Sequence, residues 1–240
     1  MKKMLSVLAL VALATAGAHA APSHITRNSN GGYVVTYNYK DKAKTGWYVG
    51  GRAELSFLNW KNKYSSDFGG VNSDADSDKY SFEPVFGGSL SFGRTINYFW
   101  RAEVEGGFIG SFDDKDNGAE FQMSIPYLMA NGYYDFTKGL YVGAGLGLAL
   151  PITELDDPIF ESGDRTKTAV APMAGVMLGY SHRLDTNLVF DVRYRLAGVF
   201  ANSKQKRSWQ EISDEQNYYF QNKIGLILDN SISVGLRYEF

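Results

Sequence analysis

The chain has 240 residues, a formal net charge of −2 and no cysteine. These facts exclude a disulfide framework, a thiolate metal site and a cysteine nucleophile, and they give no reason to expect nucleic acid as a partner. With Gly 26, Tyr 16 and Phe 15, the composition is rich in strand-forming aromatics and in the residue that permits close backbone approach.

At the start, Lys2 and Lys3 precede an apolar run from Met4 to Leu13, and Ala18-His19-Ala20 follows. A charged start, a short apolar run and small residues at both A-x-A positions predict a secretory signal over 1–20. No later run approaches the roughly 18 apolar residues of a spanning helix, which excludes a helical inner-membrane protein. Residues 21–45 are polar and read as a periplasmic leader, with one candidate short strand in Tyr33–Tyr39.

From Gly46 onward, segments with a period of two recur, the signature of strands with one apolar and one polar face. In the first, Trp47, Val49, Gly51, Ala53, Leu55 and Phe57 alternate with Tyr48, Gly50, Arg52, Glu54 and Ser56. The second sets Phe82, Phe86, Leu90 and Phe92 against Glu83, Ser89 and Ser91. The third sets Trp100, Ala102, Val104 and Phe108 against Arg101, Glu103 and Glu105. Leu128 to Phe136 and Leu140 to Leu150 form the fourth and fifth, the latter with Gly143, Gly145 and Gly147 on its second parity. The sixth runs from Met173 to Ser181; the seventh sets Leu188, Phe190, Val192 and Tyr194 against Asp191, Arg193 and Arg195. The eighth is Ser231 to Phe240, where Ile232, Val234, Leu236, Tyr238 and Phe240 oppose Ser231, Ser233, Gly235, Arg237 and Glu239.

Connections of three to five residues after the second, fourth and sixth segments alternate with longer polar ones, roughly 61–79, 113–119, 151–167 and 201–223. Eight segments with short turns at one end and longer loops at the other predict an eight-stranded antiparallel up-and-down transmembrane β-barrel over 46–240. Period alone does not say which face meets solvent, since a soluble barrel alternates too. Two features decide for apolar out and polar in. The polar parity carries Gly143, Gly145, Gly147, Gly175 and Gly179, which weaken an exposed strand but make room inside a narrow barrel for neighbours such as Tyr133 and Met177. It also carries charges of both signs, Arg52, Glu54, Arg101, Glu103, Glu105, Asp191, Arg193, Arg195 and Arg237, which suit mutual pairing in a lumen. Glu239 falls at the rim of that lumen, where its replacement is expected to cost little.

Residues 128–150, LMANGYYDFTKGLYVGAGLGLAL, resemble the central hairpin of the small outer-membrane β-barrels that include opacity-like surface antigens and outer-membrane protein A-like domains. Asn131, Tyr133, Tyr134, Asp135, Phe136, Tyr141, Val142, Gly143, Gly145 and Gly147 match that pattern, as do the D-x-R-Y-R end of 171–196 and the closing S-x-G-L-R-Y-x-F. The resemblance implies the cell outer membrane, insertion by the barrel-assembly machinery, and an assembly signal in Tyr238 and Phe240. It does not imply one molecular activity.

Candidate sites are few. Asp74, Asp76 and Asp78 start like a calcium loop, but Lys79 and Val85 stand where Gly and Glu belong, so a solvated acidic loop is expected and no metal or cofactor. Lys204-Gln205-Lys206-Arg207 with Trp209 and Tyr218 to Phe220 offer a grip for an anionic ligand or lipopolysaccharide, against the plainer reading of a polar loop with rim aromatics. A lipid A-modifying enzyme needs a histidine facing the outer leaflet, whereas His24 lies in the leader and His182 opens a short periplasmic turn. Glu103 and Glu105 read as ion-pair partners rather than an acid/base pair. The expected function is structural and surface-interacting, non-enzymatic and monomeric, with outer-membrane lipid and lipopolysaccharide around it and a host or cell-surface ligand met through the loops. A narrow ion-conducting pore is the alternative, and bilayer conductance separates the two.

Overall fold

The computed structural model describes residues 24–27, 33–36, 46–68, 71–73, 79–97, 99–116, 119–136, 139–156, 162–163, 165–210 and 217–240. The predicted signal and Asp74, Asp76 and Asp78 lie outside them, as do the side chains of His24, Gln205, Arg207, Trp209 and Tyr218 to Phe220. In the predicted leader, His24–Arg27 and Tyr33–Thr36 pair as a short antiparallel hairpin.

Eight long strands make a closed antiparallel barrel: β1 (Gly46–Phe68), β2 (Lys79–Thr95), β3 (Trp100–Asp116), β4 (Ala119–Asp135), β5 (Leu140–Ala149), β6 (Ala171–Arg183), β7 (Leu188–Gln210) and β8 (Asn217–Glu239). Each pairs with its sequence neighbours and β8 closes on β1, with Val234 opposite Ala53 and Tyr238 opposite Val49. This is the predicted up-and-down barrel. The short turns are as expected, and Gly139 takes φ +85° in the one between β4 and β5.

The longer connections differ from expectation. Most of 61–79, 113–119 and 201–223 is strand, not loop, so β1, β7 and β8 reach 23 residues each. Only about 9–11 residues are needed to cross a bilayer at a tilt, so the excess stands above it as a hairpin palisade. Ile152–Asp156 in the fifth connection extends the wall further, pairing with β4 from Glu120 to Ser124.

Bulges mark where the two storeys meet. Phe82 is the extra residue of β2 opposite Leu58 and Asn59; its φ is 60°, and its N–H donates to Asn59 Oδ1 at 3.1 Å. Gly110, at φ +147°, sits in the β3 bulge, where a Cβ would meet Val85. Further register shifts fall between Phe200 and Ser203 and between Ile224 and Leu228. An extra residue in one strand reverses which parity points inward. In β3 the buried residues are Arg101, Glu103 and Glu105 below the bulge, whereas Phe112 turns inward above it.

The exterior below the bulges is the apolar parity predicted from the sequence. Phe86, Leu90 and Leu146 are each more than 70 % exposed, with Val104, Leu128, Val176, Val234 and Leu236 also outward. In water this belt would be an unsupported apolar surface; in a bilayer it is the lipid-facing wall. Its short-turn edge is aromatic. Trp47 stacks on Phe92, Phe99 on Tyr134, and Trp100 packs edge-on against Tyr134. Such a girdle belongs at a membrane–water interface. Tyr238 and Phe240 point outward at the same end.

Candidate functional site: a cross-linked lumen

Because the lower exterior takes the apolar parity, the charged parity has nowhere to go but inward. Among the described residues these side chains find one another. Arg193 donates through Nη1 to Glu105 Oε2 at 2.6 Å and through Nη2 to Glu54 Oε1 and Glu105 Oε1, each at 2.8 Å. Arg195 Nη2 reaches Glu54 Oε2 at 2.9 Å and Asp229 Oδ2 at 3.0 Å. Arg52 donates to both oxygens of Glu103 at 3.2 Å and lies 3.4 Å from Asp191 Oδ1. Nearer the short-turn end, Arg101 grips Asp135 bidentately at 2.7 and 2.9 Å, and Arg237 Nε donates to Glu239 Oε1 at 3.2 Å.

Tyrosines complete the carboxylate shells. Tyr133 and Tyr48 donate to Glu103 at 2.7 and 3.0 Å, Tyr127 to Glu105 at 2.7 Å, and Tyr141 to Asp191 at 2.9 Å. The same rings seat the arginines: Arg101 lies over Tyr133 and Tyr141, Arg195 over Tyr127 and Arg237 over Tyr48, at 4.7 to 5.1 Å. Each ring also lies across a glycine directly opposite on the next strand, Tyr133 on Gly143, Tyr141 on Gly179, Tyr48 on Gly93 and Tyr127 on Gly107. A Cβ at Gly143 or Gly179 would fall inside the facing ring. Those glycines are the space that the tyrosines occupy.

The arrangement suits the cost of placing charge at membrane depth. A buried ion is tolerated when its partners and remaining hydrogen-bonding capacity are supplied together. Here Glu54, Glu103 and Glu105 each accept from an arginine and a tyrosine, and Asp229 from Arg195 and Ser231. Glu103 and Glu105 are therefore shared between cations, and neither is a free base.

Every member of the expected lumen set is brought together: Arg52, Glu54, Arg101, Glu103, Glu105, Asp191, Arg193, Arg195 and Arg237 are all buried. The residues missed are informative. Asp229 continues the parity of Ser231 and Ser233 two residues beyond the eighth segment as read, and Tyr127 lies one residue before the fourth. Glu239, at the rim of the same inward parity, is buried as well and accepts from Arg183 Nη2 at 2.6 Å and from Arg237 Nε at 3.2 Å, two partners that the expectation of a cheap replacement did not count. His182 is exposed, stacked beside Tyr180 at the short-turn end.

Above the bulges the interior changes character. Leu58, Val85, Ile109, Met123, Ile125, Val199 and Ile227 form one buried apolar cluster. Trp60 stacks on Tyr80 at 4.6 Å and meets Phe112 edge-on at 4.8 Å. Tyr80 donates to Asp114 at 3.0 Å, linking β2 to β3 where their backbone ladder has ended at Gly88 and Phe108.

No protein-family profile and no curated protein matches the chain. Among solved structures, it is similar to the outer membrane protein OprG from Pseudomonas aeruginosa, at 14% identity and TM-score 0.54, over 83% of this chain and 99% of that one. Neisserial surface protein A aligns over 82% of this chain and 98% of its own at 18% identity, with a TM-score of 0.44 that adds nothing to the argument. The first likeness shows the fold: the chain is built as a small outer-membrane β-barrel.

Proposed function

We propose that the protein is a non-catalytic structural barrel of the outer membrane whose lumen is closed by its own side chains and whose function lies in what its outer surface meets. One observation carries this reading: Arg193 and Arg195 of β7 bind Glu105 of β3, on the opposite side of the ring, while Arg52, Glu54, Glu103, Asp191 and Asp229 tie into the same cluster from β1, β3, β7 and β8. β3 and β7 are four strands apart in a ring of eight, so the bonds to Glu105 span the bore rather than line its wall. An eight-stranded barrel encloses an interior just wide enough for side chains to fill. A conducting pore would need several of these bonds to open together. Nor does the cluster supply a nucleophile with an adjacent free base, as hydrolysis would require.

The test is planar-bilayer recording on the purified chain, beside an assay for lipid A cleavage. The expected result is no steady conductance above the bare bilayer and no cleavage. A stable ohmic current overturns the closed lumen, and lipid A turnover overturns the non-catalytic reading.

A further inference from the structure

Among the described residues, a row of lysines on the outside of the barrel has no anionic counterpart. Lys204 of β7 stands directly opposite Lys223 of β8, and Lys223 stands directly opposite Lys63 of β1. One rung nearer the membrane, Lys61 of β1 stands opposite Lys79 of β2. Their strand neighbours Ser203, Ile224 and Asn62 are buried, so these amines project outward. Among the described residues none of the five forms an ion pair. Opposed residues on paired strands lie only about 4.5–5.5 Å apart at Cα, and like charges so placed are destabilising. The lysine row thus runs against local stability and calls for an anion from outside the chain.

Its height and direction identify the anion. Lys204 is four positions beyond Phe200 and Lys223 three before Leu226, the last outward apolar residues of those strands among the described side chains. At ~3.3 Å per residue on strands tilted by ~40°, the backbone at these lysines stands about 8–10 Å above the apolar belt. That is just above the headgroup layer, which occupies roughly 5–7 Å on each side of the hydrocarbon, and a lysine stem reaches down into it. The row faces sideways, over the lipid, rather than upward from the barrel mouth.

We propose that the outward face of β7, β8, β1 and β2 is a docking surface for the phosphate groups of the outer-leaflet saccharolipid, with Lys63, Lys204 and Lys223 as its centre and Lys61 and Lys79 as its flank. This rests on the outer-membrane reading above. It makes the barrel an oriented neighbour of phosphorylated lipid, gripped on one side. On the far side, Asp113 and Glu154 are exposed with Gln122 between them, and Arg165 and Lys167 lie in the connection beyond.

The experiment titrates the full chain, folded in detergent, with lipopolysaccharide, with enzymatically dephosphorylated lipopolysaccharide and with heparin as a soluble polyanion. At about fivefold per lysine near a charged surface, K63E/K204E/K223E should lower affinity for lipopolysaccharide about 100-fold or more. Dephosphorylation should weaken wild-type binding comparably, and D113K/E154K should not weaken it. Should the triple variant not fold, Lys223→Gln alone, with an expected loss of about fivefold, carries the test. Unchanged affinity in the lysine variants, or equal binding of the dephosphorylated lipid, overturns the proposal. Heparin bound in preference to lipopolysaccharide overturns it in favour of a soluble polyanion. Heat-modifiable migration after insertion into vesicles is scored in parallel. If the wild-type chain does not insert, the membrane reading fails; if it inserts normally and the lysines do not matter, only the lipid-docking proposal fails.

Discussion

Two storeys of one barrel are filled by opposite chemistry. Around Arg193 the interior is ionic and hydrogen-bonded beneath an apolar exterior. Around Leu58 and Trp60 it is apolar, while outward neighbours such as Asn59, Lys61 and Gln122 are polar. The difference follows from the solvent outside. Lipid rewards no burial of apolar groups, so at membrane depth the strands put apolar side chains out, and polar bonds hold the bore together. In water the hydrophobic effect returns, and the same repeat with reversed polarity builds an ordinary core. Bulges in β2, β3 and β8 shift the repeat at this level, while β1 and β4 change over in register, from Glu54 to Leu58 and from Asn131 to Ile125.

The largest expected effect is in the lower storey. Arg193→Ala leaves Glu54 and Glu105 short of a buried partner, and breaking one side of such a pair costs about 3–5 kcal/mol. Urea unfolding of the vesicle-inserted barrel should show this as a loss for the whole structure. Leu58→Ala should cost about 2–5 kcal/mol in a different place. Amide exchange should rise in the hairpins above the bulges while the membrane belt keeps its protection. If both variants loosen both storeys equally, the division between them is wrong. Lys63→Ala is the control. It removes one of two opposed cations from an exposed site, and its unfolding midpoint in detergent should stay within about 0.5 kcal/mol of wild type.

The membrane storey is legible in the sequence because its signal is double: a period of two, and apolar and charged residues on opposite parities. In Trp47 to Phe57 and Ser231 to Phe240 the residue types alone say which side faces out. The upper storey looks like loops in the sequence for a physical reason. At Phe82 and Gly110, and in β8 between Ile227 and Ile224, the period slips by a residue, and beyond the first two Tyr80 and Phe112 point inward. A pattern that slips and reverses looks like no pattern. The lumen charges are visible as a set, but their pairing is not. Glu105 meets Arg193 and Arg195 from across the ring, 88 and 90 positions along the chain. The lysines of the row are visible in the sequence one by one; the register of Lys204 with Lys223 and of Lys223 with Lys63 exists only once the barrel is closed.

The reversal of polarity is tested most directly by reading solvent along the outside of the wall. The chain has no cysteine, so single cysteines at outward positions each carry one spin label without background. With the barrel in lipid bilayers, labels at Leu90, Leu146 and Val234 should be accessible to oxygen and shielded from a water-soluble nickel chelate. Labels at Lys61, Lys63 and Gln122 should show the reverse, with the crossover at the level of the bulges. Chelate access at Leu90 and Val234 equal to that at Lys63 would contradict the account.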